Sequence, residues 1–422
     1  MQMLNQANKK QKGVALIIFT IIFALAATAF LVSQLDGSGV KIERDKRTAA
    51  VLARAKQALI GWSISRGSSV GTARPGELPC PDNDAPGAFG YGEADGSCVV
   101  GKVGRLPWKT LGIEELTDGY GEPLWYSIDG AFRKRFGASP TTNQPINSDT
   151  RATTQIYAAD GVTLITGTGM EVAAVIFATA QLLNGQSRSS GIVACAATGT
   201  SLAEHRCASN YLDAQSGLNN AINGGPFIRG IRSDTFNDQL IFVSASELMQ
   251  SVEKRVGREL KTILQGYYAS NGYYPYPAKY DDTNCLEVGN LGYTTDCQSD
   301  ANICRGRFPD EALPMAWGAS LPDWFTFNLW GQTIYYSAGT NALASAPLGC
   351  SAALTVDLAS NNALLILAGS PLGAAIRNNP SESLNLSDYL EDAENQDGWS
   401  GLANDIYVTP SVITNDSLYA LP

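Results

Sequence analysis

Leu260-Lys-Thr-Ile-Leu-Gln-Gly-Tyr-Tyr-Ala-Ser-Asn-Gly272 lines up with Ala55-Lys-Gln-Ala-Leu-Ile-Gly-Trp-Ser-Ile-Ser-Arg-Gly67, far earlier in the chain. Both stretches are rich in helix formers and end on a glycine that can stop a helix. Working outward, the correspondence continues in one order. Leu78-Pro-Cys-Pro81 matches Tyr274-Pro-Tyr-Pro277, and Gly104-Arg-Leu-Pro107 matches Gly306-Arg-Phe-Pro309. Gly119-Tyr-Gly-Glu-Pro-Leu-Trp-Tyr-Ser127 matches Leu329-Trp-Gly-Gln-Thr-Ile-Tyr-Tyr-Ser337. Ala173-Ala-Val-Ile-Phe-Ala178 matches Ala363-Leu-Leu-Ile-Leu-Ala368. Asn210-Tyr-Leu-Asp213 matches Asp388-Tyr-Leu-Glu391, and Asn237-Asp-Gln-Leu-Ile241 matches Asn415-Asp-Ser-Leu-Tyr419. Seven matched segments in one order mark a tandem duplication.

Within each copy the pattern reads as a helix, a proline- and glycine-rich loop, then strands. Val51, Ala55, Ala58, Leu59 and Trp62 recur at three and four, which gives the first helix one apolar face. Residues 153–159, 172–178 and 237–243 read as strands, the second apolar enough to be central. A second helix is predicted from about Ala245 to Tyr268.

The N-terminus adds a separate element. Lys9, Lys10 and Lys12 lead to Gly13, and Val14 to Val32 carries no charge. As a helix this run would span about 28 Å, close to one hydrocarbon core. Asp36-Gly-Ser-Gly39 follows as a soft break. The lysines before the run predict a cytoplasmic N-terminus with the rest exported. A secretory signal cut near Ala26-Ala27-Thr28-Ala29 and a plain uncleaved anchor are two readings. The third is that Lys-Lys-Gln-Lys-Gly13 running directly into Val-Ala-Leu-Ile resembles a type IV prepilin leader.

The repeated segment strengthens that third reading. Asp118-Gly-Tyr-Gly121 and Asn328-Leu-Trp-Gly331, each followed by a tyrosine and a strand, resemble the turn in the heads of type II secretion pseudopilins. The glycine of such a turn often needs positive φ, and the aromatic is predicted to pack beneath it. The resemblance implies cleavage between Gly13 and Val14, with prepilin peptidase and other pilin or pseudopilin subunits as partners. It also implies a structural role, not an enzymatic one. One departure matters: Ile18 stands where the family usually has glutamate at the fifth mature position. That points to a subunit at a filament tip or in initiation.

Eight cysteines all lie after the apolar run, and an even count in an exported region predicts disulfides. Spacing favours Cys80–Cys98 and Cys195–Cys207, whereas it leaves the connectivity of Cys285, Cys297, Cys304 and Cys350 open, with Cys285–Cys297 and Cys304–Cys350 as the favoured pairing. Net charge is −10, and loss of the three leader lysines would take it to −13. Nucleic acid is therefore excluded as a partner, since phosphate binding needs a basic face.

Asp82-Asn-Asp84-Ala-Pro-Gly87, with Glu93, follows a calcium-loop template except that Pro86 fills a place needing an oxygen ligand. Calcium held by Asp82, Asp84 and Glu93 is one reading, and an acidic loop stapled by Cys80–Cys98 is the other. Glu391 to Asp397 is a second acidic cluster. Gly67-Ser-Ser69-Val-Gly71 fits Gly-x-Ser-x-Gly, but it follows a helix and reads as a turn. His205, the single histidine, reads as a loop residue beside a disulfide. Tyr267, Tyr268, Tyr273, Tyr274 and Tyr276 read as packing residues of the second copy before they read as a binding strip.

Together these readings predict an α+β protein. An N-terminal membrane-spanning helix would be followed by two tandem pilin-like modules, each a helix packed on a mainly antiparallel sheet. The divisions are a leader at 1–13, a transmembrane stem at 14–35, and modules at 36–244 and 245–422. The implied function is that of a minor pilin or pseudopilin-like subunit of a type IV pilus or type II secretion filament. It would sit in the inner membrane by a single pass, with its globular part in the periplasm or on an extracellular filament. The alternative is a membrane-anchored or surface-exposed adhesin or binding protein outside any filament.

Overall fold

The computed structural model describes residues 11–67, 73–96, 98, 102–133, 145–167, 171–189, 191–194, 201–203, 206–282, 285, 297–309, 321–372, 377, 385–397, 404–411 and 414–422. Side chains at 11–19, 25–38, 192–194, 201–203 and 326–327 lie outside that description.

The duplication is visible in the sheets. Strands β1 (Val103–Arg105), β2 (Trp125–Ile128), β3 (Val172–Ala178) and β4 (Gln239–Ser244) lie side by side in that order. Strands β5 (Arg305–Arg307), β6 (Ile334–Ala338), β7 (Ala363–Leu367) and β8 (Ser417–Leu421) do the same. Every neighbouring pair in both sheets is antiparallel. Even the register repeats: Gly104 faces Tyr126 and Gly306 faces Tyr336. Tyr126 Oη donates to Pro79 O at 3.2 Å, and Tyr336 Oη donates to Pro275 O at 3.0 Å. The matched prolines of the sequence thus accept the same bond in each copy.

Alternation along the central strands explains why they are apolar throughout. In β7, Ala363, Leu365 and Leu367 face one core, while Leu364 and Ile366 face another. In β3, Ala174, Ile176 and Ala178 face that same first core, while Val175 and Phe177 face a third. Side chains two apart share a face, so a strand covered on both sides has no polar position to spare. The shared core lies between the sheets and holds the helices.

Helix α1 (Gln11–Ser65) contributes Leu52, Ala55, Leu59 and Ile60 to this core. Helix α2 (Ala245–Asn271) contributes Leu248, Met249, Val252, Val256, Leu260 and Leu264. The aligned pairs Ala55/Leu260 and Leu59/Leu264 are therefore equivalent in burial as well as in sequence. The start of α2 is set by Ser244, whose side chain accepts from Glu247 N at 3.1 Å. It stops at Gly272, whose φ of 76° is the left-handed conformation glycine takes without steric cost.

Two expectations about the fold are corrected. The first concerns the stem: among the described residues no helix is long and apolar enough to cross a membrane. Helix α1 does not break at 36–39 but runs on through Lys41, Glu43, Arg44, Asp45, Lys46 and Arg47 into the body. The inner-membrane single-pass anchor predicted for 14–35 falls with it. The second concerns the pilin-like plan of one helix on one sheet. The described residues are β-rich, with smaller ladders outside the two main sheets. Residues 156–158 pair in parallel with 227–229, and 354–356 pair with both 359–361 and 406–407, the latter in parallel. These ladders cover the outer face of each sheet, and the two long helices meet the inner one. The disulfides indicate an oxidising, extracytoplasmic environment.

The repeated turn also differs between copies. Gly121 has a φ of +89°, as the turn requires. At the second turn it is Leu329 that takes positive φ, 56°, while Gly331 lies in a short 3-10 helix. Trp330 is buried beneath that turn, but Tyr120 is only half-buried.

Candidate functional site

The polar residues of the last matched segments converge in each copy. Asp238 stands just before β4, and its Oδ2 accepts from Asp213 N at 2.8 Å and Asn220 Nδ2 at 3.0 Å. Asp213 Oδ2 in turn accepts from Asn237 N at 2.7 Å. In the second copy Asp416 stands just before β8, and its Oδ2 accepts from Glu391 N at 3.2 Å. Glu391 Oε2 accepts from Asn415 N at 3.3 Å. The Tyr-Leu-acid and Asn-Asp segments are therefore two halves of one hydrogen-bonded lock, which ties the outer cap to the last strand.

An arginine completes each lock. Arg188 lies 4.3 Å from the ring centroid of Tyr211, and Arg377 lies 4.3 Å from that of Tyr389. Arg188 Nε donates to Asn210 O, and Arg377 Nε donates to the matched Asp388 O. The tyrosines pack in turn on the matched strand aromatics Trp125 and Tyr335, at 4.9 and 6.3 Å. Nothing in the sequence reading singled out these arginines. Their signal is position: each follows the apolar central strand by nine or ten residues.

Burial sets the protonation of these groups. It raises Asp238 well above the usual carboxylate range, and the facing Asp213 carboxylate adds to the rise. Asp416 is pushed up to about 8 by burial and then by Glu391. Asp416 therefore keeps a proton at neutral pH, and Asp238 is shifted in the same direction. Asp238 and Asp416 are only 8% and 7% exposed. The arrangement ties the cap of each copy to its last strand.

The second lock reaches across to the first copy. Asp149 Oδ2 accepts from Tyr389 Oη at 3.1 Å, and its Oδ1 lies 3.4 Å from Arg377 Nη1. Glu253 of α2 is buried in the same region and pushed up to about 8, mainly by burial, with Asp149 and Glu391 adding. Asn328 Oδ1 accepts from Arg74 Nη1 at 3.1 Å and from Ile146 N at 3.0 Å. Arg255 of α2 donates to the carbonyls of Ile64, Arg66 and Gly67, at the C-terminus of α1. A cation there meets the unpaired carbonyls and the negative end of the helix dipole.

The predicted calcium ligands part company. Asp82 and Asp84 come together with Asp95, while Glu93 is exposed elsewhere. One carboxylate oxygen from each of Asp82, Asp84 and Asp95 lies within 4.8 Å of the others. Asp82 Oδ1 and Oδ2 accept from Asp84 N and Gly92 N, both at 2.8 Å. Asp95 Oδ2 faces Lys102 Nζ at 3.0 Å and Asn83 Nδ2 at 2.8 Å.

Cys80–Cys98, Cys285–Cys297 and Cys304–Cys350 are bonded as predicted. Cys207 is also disulfide-bonded, and Cys195 lies outside the described residues, as do His205 and 68–72. Glu391 of the second acidic cluster is turned inward to Asp416. Tyr274 is buried, with Tyr268 4.6 Å from its ring, so the tyrosine strip includes core packing. Gly13, Val14 and Ile18 fall within α1, whose backbone is continuous through them, but their side chains lie outside the described residues. Further along α1, Ile21, Ile22 and Phe23 are 53%, 60% and 71% exposed, on successive positions and so around the helix. No protein-family model, curated protein or solved structure matches the chain.

Proposed function

We propose that the chain is a structural subunit of a pilus- or pseudopilus-type filament, assembled outside the cytoplasm through the projecting half of α1. The observation that carries this reading is the exposed run Ile21-Ile22-Phe23 on a helix whose other end is anchored in the core. Such a surface calls for burial against partner helices. A cut between Gly13 and Val14 leaves this arm at the new N-terminus. A low-copy place at a filament end fits Ile18, which offers no carboxylate to a neighbour's terminal ammonium, and the bulk of a duplicated body on one arm.

The test is assembly of the full chain with Ile21, Ile22 and Phe23 all changed to serine. The body should melt as before while incorporation into filaments, read by immunogold labelling, falls at least tenfold. Unchanged incorporation would reject the reading, as would labelling spaced along the shaft for its end position.

A further inference from the structure

We propose that the cavity between α1 and the first copy binds an acidic–aliphatic peptide segment. The cavity is about 400 Å³, within the range of ligand sites, and is lined by Lys41 and Arg44 of α1 with Tyr120, Arg232 and Asn237 of the body. Tyr120 is the half-buried turn aromatic whose counterpart Trp330 is core. Instead of packing inward, its ring lies under two guanidinium groups, Arg44 at 4.9 Å and Arg232 at 6.0 Å.

The charges of the cavity are unevenly satisfied. Arg232 Nη1 meets Asp45 Oδ1 and Oδ2 at 3.1 and 3.2 Å, and Asp45 also accepts from Gln239 Nε2 at 3.1 Å. Among the described residues Arg232 Nη2 is buried with no acceptor and Asn237 Oδ1 is buried with no donor. Among the described residues neither Lys41 nor Arg44 has an ion-pair partner. Asp234 is the one acid among the described lining residues, and it is exposed. Three cations thus converge in a lining with a single carboxylate, while Asp45, outside the lining, is already engaged by Arg232 and Gln239, in a chain whose net charge is −10.

A carboxylate satisfies this set. It accepts from a planar guanidinium and an ammonium together, and the Arg44–Tyr120 stack holds the guanidinium for it. The surroundings specify what flanks that carboxylate. Val40 lines the cavity and Ile231 adjoins Arg232, both exposed apolar side chains. A peptide with one acid between aliphatic residues meets both features. A polyanion would bring charges that the acidic body repels.

Isothermal titration of the full chain with acetyl-Ala-Leu-Glu-Leu-Ala-amide tests the proposal. Binding should weaken at least tenfold when the peptide's glutamate is replaced by glutamine, and at least tenfold in Arg44→Glu. Lys41→Glu, an exposed change that leaves folding intact, should weaken it in the same direction. No heat of binding at millimolar peptide would overturn the proposal, as would binding indifferent to Arg44→Glu. Inorganic phosphate that competes fully with the peptide at equal concentration would overturn the peptide assignment and leave a simple anion site.

Discussion

Arg377 Nη1 lies 3.4 Å from Asp149 Oδ1, joining the second copy's carboxylate lock to a loop of the first. Its matched residue, Arg188, reaches only within its own copy, to Glu122 at 2.6 Å. The same arginine-on-tyrosine unit has thus been turned outward in one copy and inward in the other. Removing Arg377 would leave Asp149 and Glu391 without their cation in a buried seam. Arg377→Met should destabilise the chain by about 3–5 kcal/mol. Urea unfolding of Arg377→Met and Arg188→Met checks this, and the first should be the more damaging.

Glu253 provides a pH dependence with a definite sign. Its ordinary value is 4.5, and burial holds it at about 8 in the folded chain. Between those values the folded state keeps a proton that the unfolded state has released. Stability from this group is complete below about 4.5 and is lost as pH rises towards 8. Asp416 acts in the same direction. Glu253→Gln should therefore reduce the loss of stability between pH 5 and 8 by on the order of 3 kcal/mol. Thermal melts across that range would show a flatter profile in the variant. A profile unchanged from wild type would mean Glu253 is not held protonated.

Loop size ranks the disulfides. Cys304–Cys350 closes a separation of 46 residues, and Cys285–Cys297 one of 12. Chain entropy assigns roughly 4 kcal/mol to the first and roughly 3 to the second. Paired cysteine-to-alanine variants, compared by denaturant midpoint, should fall in that order.

The parts of the fold that were legible in the sequence are those fixed by local chemistry repeated twice. Ala55/Leu260 and Leu59/Leu264 lie at helical spacing, and 172–178 was apolar enough to be central because both its faces are covered. The locks were legible only as repeated words. Asp213 and Asp238 are joined by chain folding, and no spacing rule links a Tyr-Leu-acid segment to an Asn-Asp pair. Of the acids in the calcium template, Asp82 and Asp84 come together with Asp95, while Glu93 is exposed and stands outside that group. The stem misled for a different reason. An uncharged run was read as a separate span, whereas α1 is one continuous helix with a charged middle.

The sharpest test of the duplication lies in two hydroxyl groups. Tyr126 and Tyr336 are both fully buried, and each donates to the matched proline carbonyl, Pro79 O or Pro275 O. Phenylalanine keeps the ring and the packing but leaves a buried carbonyl unpaired, which costs about 1–2 kcal/mol. Equivalent sites should respond alike, so Tyr126→Phe and Tyr336→Phe should match within about 0.5 kcal/mol. Both rings, however, belong to the one core between the sheets. Distant substitutions add, whereas those that share relaxing neighbours do not. The double variant should therefore cost the sum of the two if the shared core is rigid around each ring. Guanidinium unfolding of the four proteins reads this directly. Unequal single costs would break the equivalence, and a double cost well short of the sum would show that the two copies relax together through the helices between them.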